Sequence, residues 1–397
     1  MTPHLRDDMK TIVTDDLRID VIDDLARIEA AWRLASIELA GYVFQSFDWL
    51  VVWNATIGLP LGITPVLVQV ADATGHTLML IPLGIRRMHG CRVLVFLGGE
   101  ESDYKAPLID RRFAAACRIA DFAELWAAIL RRLPALDIVW FSGMPATIEG
   151  APNPFVTLHG AEPAGYAYAA TPLPDTFEAY RQAHRSALFR KAARFYRNGA
   201  EGSPVRLERV ADPAEMLDIF DLTLAWKRQR FGNDFMNPAV ERFYRRILQS
   251  CPAAVTPFVA RLWIEDTIVA TEVGMVQGNR FYGLLTAYES GPWARLSPGR
   301  LLMAEIVRWC IAEGLETFDL TCGDEEYKKD FTDTRTALHA CSQGPTRKGR
   351  IVLFGFAVMT RIYQRALKHP RLRAHTLALK ARMFAVIGAP RSASACG

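Results

Sequence analysis

Two separate parts of the chain carry similar series of apolar segments, each long enough for a strand and bounded by glycine or polar turns. The segments are Val66–Val70, Leu78–Arg86 and Val93–Leu97 in the first series, and Phe258–Ile264, Ile268–Gln277 and Arg280–Ala287 in the second. Because the turns between consecutive segments are short, each series predicts an antiparallel meander.

Each meander is followed by a polar loop, a helical stretch and a short strand. These features are the acidic loop Gly98 to Tyr104, a helix ending near Leu133 and the strand Ile138–Phe141 in the first copy, and the Ser297 loop, a helix ended by Gly314 and the strand Phe318–Leu320 in the second. The repetition predicts an internal duplication of fold. We expect an α/β (α+β) protein with tandem domains, each a mixed, mostly antiparallel sheet flanked by helices.

The duplication divides the chain into four parts. Residues 17–145 form the first copy and residues 175–335 the second. The intervening residues 146–174 are predicted to be an irregular connector, because the region is rich in Gly, Pro and Ala. Residues 336–397 form a basic extension. In it Pro370 breaks any long amphipathic helix, so packing against the body is favoured over contact with an anionic membrane surface.

A basic helix is predicted at the start of the second copy. Asp175 and Glu178 have the spacing of a capping box, and Asn198-Gly199 marks the end of the helix. The basic residues along it are Arg181, Arg185, Arg190, Lys191, Arg194 and Arg197. A solvated face is the favoured interpretation, and a surface that grips an anionic acceptor is the alternative.

Composition excludes several classes of protein. The net charge of +4, from 47 Lys and Arg against 43 Asp and Glu, does not by itself indicate a nucleic-acid-binding protein. The 7 cysteines include no C-x-x-C pair, which suits a reducing cytosol without zinc or disulfides. There is no apolar signal core, and the apolar run Ile351 to Met359 is far shorter than the ~20 residues of a spanning helix. We expect a cytoplasmic protein with at most peripheral membrane contact.

The second copy concentrates the candidate chemistry. Ser297 and Pro298 have the residue types of a helix cap and first-turn proline, and Gly299 leaves the backbone bare. Unpaired amides and the helix dipole favour an anion at such a start, and Arg300 adds positive charge. A capped helix without a ligand is the plain alternative. No G-x-S-x-G, Walker-type or G-x-G-x-x-G loop supports hydrolase or nucleotide-loop chemistry.

Four short motifs in order carry a family resemblance: FQSFDW from Phe44, DYKAPLI from Asp103, LSPGRLL from Leu296 and FDLTCGDEEYK from Phe318. Over most of residues 20–335 the chain resembles the CelD-type acyltransferases of the GNAT superfamily, which are relatives of the FemAB-type transferases. The resemblance implies paired GNAT-like domains. It also implies acetyl-CoA or another acyl-CoA as co-substrate, with no permanently bound cofactor.

Residue roles follow from combining the resemblance with the residues themselves. Cofactor binding is assigned to the helix start, at Ser297, Gly299, Arg300 and Leu301, with the diphosphate on the amides of residues 299–301. Tyr327 occupies the place where GNAT enzymes commonly put the tyrosine that protonates the departing sulfur, and a packed aromatic is its alternative. Glu325 and Asp319 are the candidate bases, since a carboxylate at a strand end beside a cleft can have a raised pKa. Asp319 is alternatively a structural residue that holds Lys328 or a loop amide.

The remaining candidates would stabilise negative charge that develops during the reaction or would bind the acceptor. Lys328 is assigned to charge stabilisation, with a surface lysine as its alternative. Acceptor binding is assigned to Asp103 and Tyr104 in the first copy and to Trp226 and Lys227 in the second. The first copy is expected to be degenerate, because acid in its loop would repel phosphates. No metal site is predicted.

The leading hypothesis is acyl transfer from acyl-CoA to a sugar amine, a sugar hydroxyl or a polysaccharide precursor in exopolysaccharide or cellulose biosynthesis. A FemAB-like transfer from aminoacyl-tRNA is the enzyme alternative, although tRNA is not favoured as a partner and DNA is not expected. A non-catalytic accessory protein of polysaccharide export is the third class.

Overall fold

The computed structural model describes residues 17–184, 205–250, 255–323 and 325–367. The predicted basic segment from Arg185 to Arg197 and the extension beyond residue 367, with Pro370, lie outside this part. The described residues fall into two compact units. Unit 1 contains residues 17–54, 58–164 and 338–367, and unit 2 contains residues 55–57 and the described residues between 165 and 337.

Unit 1 begins with a strand and two helices, and the predicted meander follows them. Its elements in chain order are β1 (Arg18–Ile22), α1 (Leu25–Glu38), α2 (Phe47–Trp53), β2 (Thr64–Ala71), β3 (Thr77–Met88), β4 (Cys91–Phe96), β5 (Leu108–Ile109), α3 (Arg111–Ala116), α4 (Ile119–Arg132), β6 (Ile138–Pro145) and the small hairpin β7 (Thr147–Ile148) and β8 (Ala151–Pro152). Asp24 caps α1 through its side chain.

Unit 2 repeats this order. Its elements are β9 (Ala161–Pro172), most of which belongs to this unit, α5 (Phe177–Ala183), β10 (Val205–Val210), α6 (Pro213–Phe231), α7 (Pro238–Ser250), β11 (Thr256–Ile264), β12 (Thr267–Gln277), β13 (Arg280–Tyr288), α8 (Pro298–Ala312) and β14 (Thr317–Cys322). The chain then forms β15 (Thr334–Gln343) and α9 (Arg347–Leu367). Short 3-10 turns cover Val43–Gln45, Pro154–Thr157, Asn233–Phe235, Pro292–Leu296 and Glu326–Asp330, and a π-helical turn covers Asn54–Gly58.

The sheets of the two units have matching strand orders. In unit 1 the order is β1-β2-β3-β4-β6-β15, and in unit 2 it is β10-β11-β12-β13-β14-β9. Only β4 with β6, and β13 with β14, pair in parallel along these orders, whereas the other pairings recorded there are antiparallel. The predicted mixed, mostly antiparallel sheets and their duplication are confirmed.

Two predicted boundary regions differ in the structure. The prediction of an irregular connector is wrong for Ala161–Pro172, which forms β9 and pairs with β14. Residues after the second copy are also not simply an extension, because Leu338–Gln343 of β15 pair with β6 in unit 1. Both strands pair with partners far away in sequence, so local composition gave no signal for them.

The core of unit 2 fixes α8 against the sheet. Leu302, Ile306 and Cys310 of α8 are fully buried in one cluster with Phe281 and Phe318. The rings of Phe281 on β13 and Phe318 on β14 stack with centroids 5.3 Å apart. Burial on this scale, about 1.5–3 kcal/mol for each large apolar side chain, holds the two parallel strands and the helix together.

Helix α5 is fixed to the segment that follows β14. Thr176 caps this helix by accepting a hydrogen bond from the Ala179 amide, so the predicted cap at Asp175 is off by one residue. The buried hydroxyl of Tyr180 donates to the backbone oxygen of Phe331 at 2.6 Å. Burial raises the pKa of Tyr180, which therefore stays a hydrogen-bond donor at ordinary pH.

No helix within the described ranges is long and apolar enough to span a bilayer.

Replacing Tyr180 with Phe should lower the free energy of unfolding by about 1–3 kcal/mol, because the buried Phe331 oxygen loses its donor. The measurement is the urea midpoint at constant m value. Tyr42→Phe is the matched control, since its hydroxyl donates to the Thr147 oxygen in a hydrogen bond that is only partly buried. An equal loss in both variants would contradict the special role of the buried bond.

Candidate functional site

The candidate site of unit 2 is built on two parallel strands that separate. Strands β13 and β14 pair over three positions, from Arg280 opposite Thr317 to Tyr282 opposite Asp319. Beyond these positions β13 stays paired with β12, while β14 pairs with β9. The backbones therefore diverge after Tyr282 and leave a wedge that begins at Gly283.

Asp319 lies at the closed end of the wedge. Its carboxylate, which is fully buried, accepts hydrogen bonds from the Arg280 guanidinium at 2.9 Å and from the Thr321 amide at 2.7 Å. An interaction of this kind neutralises the carboxylate and holds the strand end. The geometry favours the structural alternative for Asp319, with a loop amide and Arg280 as its partners rather than Lys328.

A buried carboxylate lies beside Gly283, at the opening of the wedge. Glu272 on β12 is fully buried, and its Oε2 accepts a hydrogen bond from the Thr286 hydroxyl at 2.6 Å. Its Oε1 has no hydrogen-bond partner within the described part of the chain. A Cβ at position 283 would lie 3.3 Å from this oxygen and 3.3 Å from Leu320 Cδ2, so glycine there avoids two close contacts.

Burial raises the pKa of Glu272 to about 7, because desolvation penalises the ionised form. The Thr286 hydroxyl opposes this shift most strongly. The Leu284 backbone amide and the positive charges of Lys227 and Lys328 also favour ionisation. A carboxylate with this pKa can both accept and return a proton near neutral pH.

The loop after β14 connects the wedge to charged side chains. Thr321, in the left-handed region at φ 56°, donates its hydroxyl to the Gly283 oxygen at 3.1 Å and so bridges the diverging strands. The ammonium group of Lys328 donates to the Cys322 oxygen at 2.7 Å and lies 3.0 Å from the Glu325 carboxylate. Gly323 has φ 137°, and any side chain there would collide with Glu325. Lys328 is therefore a buried, paired residue rather than a surface lysine.

A cavity of about 420 Å³ lies beside this loop within unit 2. Its lining is largely polar and charged: Ala169, Gly323, Glu325, Lys328, Lys329, Thr332, Asp333 and Arg335. The volume falls within the usual range for small-molecule pockets. The predicted residues Glu325 and Lys328 thus come together in one cavity wall.

The start of α8 forms the other part of the site. Ser297 occupies the cap position in the left-handed conformation, with φ 56°, and its side chain does not cap the helix. The amides of Arg300 and Leu301 both donate to the Ser297 oxygen, at 2.9 and 3.1 Å. The amides of residues 299–301 were predicted to bind a diphosphate. This prediction is corrected for Arg300 and Leu301, because their amides already donate within the protein. Only the Gly299 amide has no such bond recorded among the described residues.

An aromatic side chain lies against this helix start. A Cβ at Gly299 would be 2.9 Å from the ring of Tyr288, so only glycine allows the ring to pack there. The Tyr288 hydroxyl accepts a hydrogen bond from Arg230 at the end of α6. The exposed guanidinium of Arg300 lies 3.3 Å from Asp330, which offsets part of its charge.

The other predicted residues occupy varied positions. Tyr327 packs against the hydrophobic core of unit 2. In α6, Trp226 is half-buried, and the ammonium of Lys227 lies 5.4 and 5.3 Å from the ring centres of Phe231 and Phe235.

The first-copy candidates belong to unit 1. Asp103 is half-buried there. Tyr104 is fully buried and packs edge-to-face with Tyr42 and Phe44, at centroid distances of 4.8 and 5.3 Å. Its assignment as a substrate contact is corrected, because a core aromatic without exposed surface cannot touch a ligand.

The equivalent opening in unit 1 is filled by aromatic rings. Strands β4 and β6 pair in parallel at Val93 with Ile138 and Leu94 with Val139. Just beyond, the rings of Phe96 and Phe141 lie 4.6 Å apart, and Phe155 packs against both. In unit 2 the residue of β13 that follows the last parallel pair is Gly283.

Glu272 was missed by sequence reasoning. The available signal was a lone charged residue in the apolar strand TIVATEVGMVQ. Its significance depends on Gly283 and Thr286 across the sheet, and residue spacing alone does not reveal that pairing. No group of three or more His, Cys, Asp or Glu side chains arranged for a metal ion occurs among the described residues.

Comparison with known proteins agrees with this geometry. Residues 184–329 match the family described as an acetyltransferase (GNAT) domain, and the described residues of this range lie within unit 2. Among curated proteins, none matches the sequence. The domain match assigns residues 184–329, rather than the whole chain, to a region similar to a GNAT acetyltransferase domain, and such a domain supports acyltransferase activity.

Solved structures share the fold at low sequence identity. FemX matches with a TM-score of 0.55 and 10% identity, over 81% of this chain and 96% of that chain. The C-terminal domain (DUF2156) of a protein from Agrobacterium fabrum, named as a lysylphosphatidylglycerol synthetase, matches with a TM-score of 0.50 and 12% identity, over 83% of this chain and 96% of that chain. These similarities describe the fold.

The Glu272 carboxyl should make stability fall as pH rises toward neutrality. Its folded-state pKa of about 7 exceeds the ordinary value of 4.5, so the native state keeps a proton that the unfolded chain releases. The contribution of this proton to the free energy of unfolding is fully present below about pH 4.5 and is lost as the pH rises to about 7. The free energy of unfolding should fall by no more than about 1.4 kcal/mol per pH unit in this range. Glu272→Gln should flatten this decline, measured by urea unfolding at several pH values.

Glu208→Gln is the matched control for that experiment. Its hydrogen bonds with Arg261 lower the pKa of Glu208 to about 2, so this carboxyl is ionised in both folded and unfolded states across the window near pH 5–7. The control should keep the wild-type decline. A wild-type decline that persists in Glu272→Gln would show that Glu272 does not hold the proton.

Proposed function

We propose that this chain transfers an acyl group from acyl-CoA to an amine or hydroxyl of a sugar or polysaccharide precursor, with Glu272 as the general base. The observation that carries the proposal is the Oε1 of Glu272, which has no hydrogen-bond partner in the described part of the chain and is buried beside Gly283 where β13 and β14 separate. A base with a pKa of about 7 matches proton abstraction from an acceptor near neutral pH.

In the proposed reaction the acceptor's nitrogen or oxygen attacks the thioester carbonyl carbon. Glu272 takes the proton from the attacking atom, and the carbonyl electron pair moves onto oxygen. When the tetrahedral intermediate collapses, the carbon–sulfur bond breaks and CoA leaves as a thiolate. Tyr327 remains the proposed donor of a proton to that sulfur. A backbone amide of β13 is proposed to polarise the carbonyl.

For the cofactor, we assign the diphosphate to the start of α8. Support comes from the Gly299 amide, the positive end of the helix dipole and the guanidinium of Arg300. The amides of Arg300 and Leu301 already donate to Ser297 and contribute only through the dipole. The pantetheine arm would then lie in the wedge between β13 and β14. In unit 1 the matching opening holds Phe96 and Phe141, which supports a degenerate first copy.

For the acceptor, we assign the cavity beside the loop after β14. Its polar and charged lining suits a hydroxylated or amine-bearing molecule better than an apolar one, and about 420 Å³ accommodates a sugar-sized group. Glu325 and Lys328 are then acceptor-side residues, with Lys328 also favouring the ionised form of Glu272. The positive charge of Lys227 also favours the ionised form of Glu272. Trp226 and Asp103 remain proposed contacts of the acceptor.

Two alternatives belong to other classes. The FemX likeness has a TM-score of 0.55 and concerns the fold alone, so transfer from aminoacyl-tRNA rests on the basic stretch Arg181–Arg197, nearly all of which lies outside the described residues. A non-catalytic accessory role would leave no reason to bury the Glu272 carboxylate with one oxygen that has no partner among the described residues. A cytoplasmic location and the CelD-type subfamily are part of the leading proposal.

Glu272→Gln should lower kcat for acyl transfer by about 10²–10⁴-fold and leave CoA affinity nearly unchanged, since the amide cannot accept the proton. The assay is thiol release from acetyl-CoA with a panel of amino sugars. For the wild type, the rate should rise with pH through about 7, because only the ionised carboxylate is a base. Glu325→Gln is the comparison variant. If it removed this rise while Glu272→Gln kept it, the base would be Glu325.

Two variants of Gly299 test the cofactor position by CoA titration calorimetry. Gly299→Ala adds volume against Tyr288, and Gly299→Asp adds a negative charge as well, so the second should weaken CoA binding at least tenfold more than the first. Gly355→Asp in the open face of α9 is the control and should bind like the wild type. Equal affinity in all variants would place the diphosphate elsewhere.

Salt-dependent tRNA binding without CoA binding would favour the FemAB-like alternative.

A further inference from the structure

Helix α9 of unit 1 carries an exposed row of large apolar side chains. Ile351 and Phe354 are each 72% exposed, Ile362 is 55% exposed and Val358 is 36% exposed. Their spacings of three, four and four residues place them along one side of the helix. Four neighbouring exposed apolar residues are more than the scattered single ones that a protein surface normally shows.

The opposite side of α9 fixes the helix to unit 1. Val352, Leu353 and Phe356 pack against the apolar cluster that contains Cys91 and Ile138. Glycine at position 349 permits close approach, because a side chain there would collide with the Asp137 backbone oxygen. The Thr346 hydroxyl also accepts a hydrogen bond from the Gly349 amide at 3.1 Å and donates one to the Asp137 carboxylate at 2.9 Å. The exposed row is therefore held in a defined, outward orientation.

Positive charge surrounds the exposed row. The helical repeat places four exposed arginines on the same side: Arg347, Arg350, Arg361 and Arg365. Helix α9 contains no Asp or Glu, and none occurs anywhere in the sequence after Asp333. We refer to Ile351, Phe354, Val358 and Ile362 with these four arginines as the outward face of α9.

We propose that the outward face of α9 binds an anionic membrane surface, with the helix lying in the plane of the interface. Apolar side chains that enter the headgroup region and arginines that pair with lipid phosphates are the two signals that stable peripheral binding requires. Arginine also suits phosphate through its paired donors. Such a helix lies on a bilayer and does not cross it, in accordance with the hydropathy of the described helices.

Helix α1 carries a second pair of exposed apolar side chains, which differs from the outward face of α9 in the charge around it. Leu34 and Ile37 on α1 are 54% and 76% exposed, also three residues apart. Next to them lie both signs of charge, Arg33 and Glu38. This pair has exposed apolar side chains without a surrounding positive field, so it serves as a matched control.

The test is co-sedimentation of the full chain with vesicles of phosphatidylglycerol mixed with phosphatidylcholine, and with vesicles of phosphatidylcholine alone. The wild type should bind the anionic vesicles at least tenfold more strongly, and raising salt from about 0.1 M to about 0.5 M should remove most of this preference. The double variant Ile351→Glu/Phe354→Glu should lose binding at least tenfold. The control Leu34→Glu/Ile37→Glu should bind like the wild type.

Three results would overturn the proposal. Wild-type protein that stays in the supernatant with anionic vesicles at low salt would exclude a membrane-binding face. Loss of binding in both double variants alike would show that the outward face is not specific. A wild-type dimer in gel filtration without lipid, converted to a monomer by Ile351→Glu/Phe354→Glu, would show that a second copy of the chain covers the face. Circular dichroism of both variants checks that each is folded.

Discussion

The candidate site depends on how the short parallel pairing of β13 with β14 is brought to an end. Asp319 uses one carboxylate oxygen for Arg280 and the other for the Thr321 amide, and so it ties the paired part of β13 to the diverging part of β14. Breaking a buried interaction of this kind by removing one partner typically costs about 3–5 kcal/mol. From this point the hydroxyl of Thr321 reaches Gly283, which lies next to Glu272.

The duplication gives an internal comparison for this arrangement. Both units build a meander, a helix and a strand that pairs in parallel for only a few residues. In unit 1 the opening contains packed phenylalanine rings, whereas in unit 2 it contains a glycine and a carboxylate oxygen without a hydrogen-bond partner among the residues that the structure describes. The same backbone geometry can therefore serve as core or as site, according to the volume and polarity of two or three side chains.

The sequence predicted the strands, the helix that starts at Pro298 and the repeat, because each depends on a local pattern of apolar residues. Several other features require knowledge of the tertiary structure. The partners of β9 and β15 are remote in sequence, Tyr104 proves to be core because of Tyr42 and Phe44, and Glu272 gains its raised pKa from surroundings drawn from another strand. The sequence motif that begins at Phe318 pointed to the loop after β14. It could not reveal that the Lys328 ammonium group donates to a backbone oxygen of that loop.

The return of β15 to unit 1 has a consequence for synthesis on the ribosome. Position 141 of β6 pairs with position 341 of β15, so the sheet of unit 1 lacks one strand until nearly all of unit 2 has been made. Closing a loop on the order of 200 residues is slow unless the intervening chain is already compact. Unit 2, whose strands β9 to β14 are all made before β15, can become compact first and shorten that distance. The nascent chain would then complete its domains in the reverse of the order in which they begin.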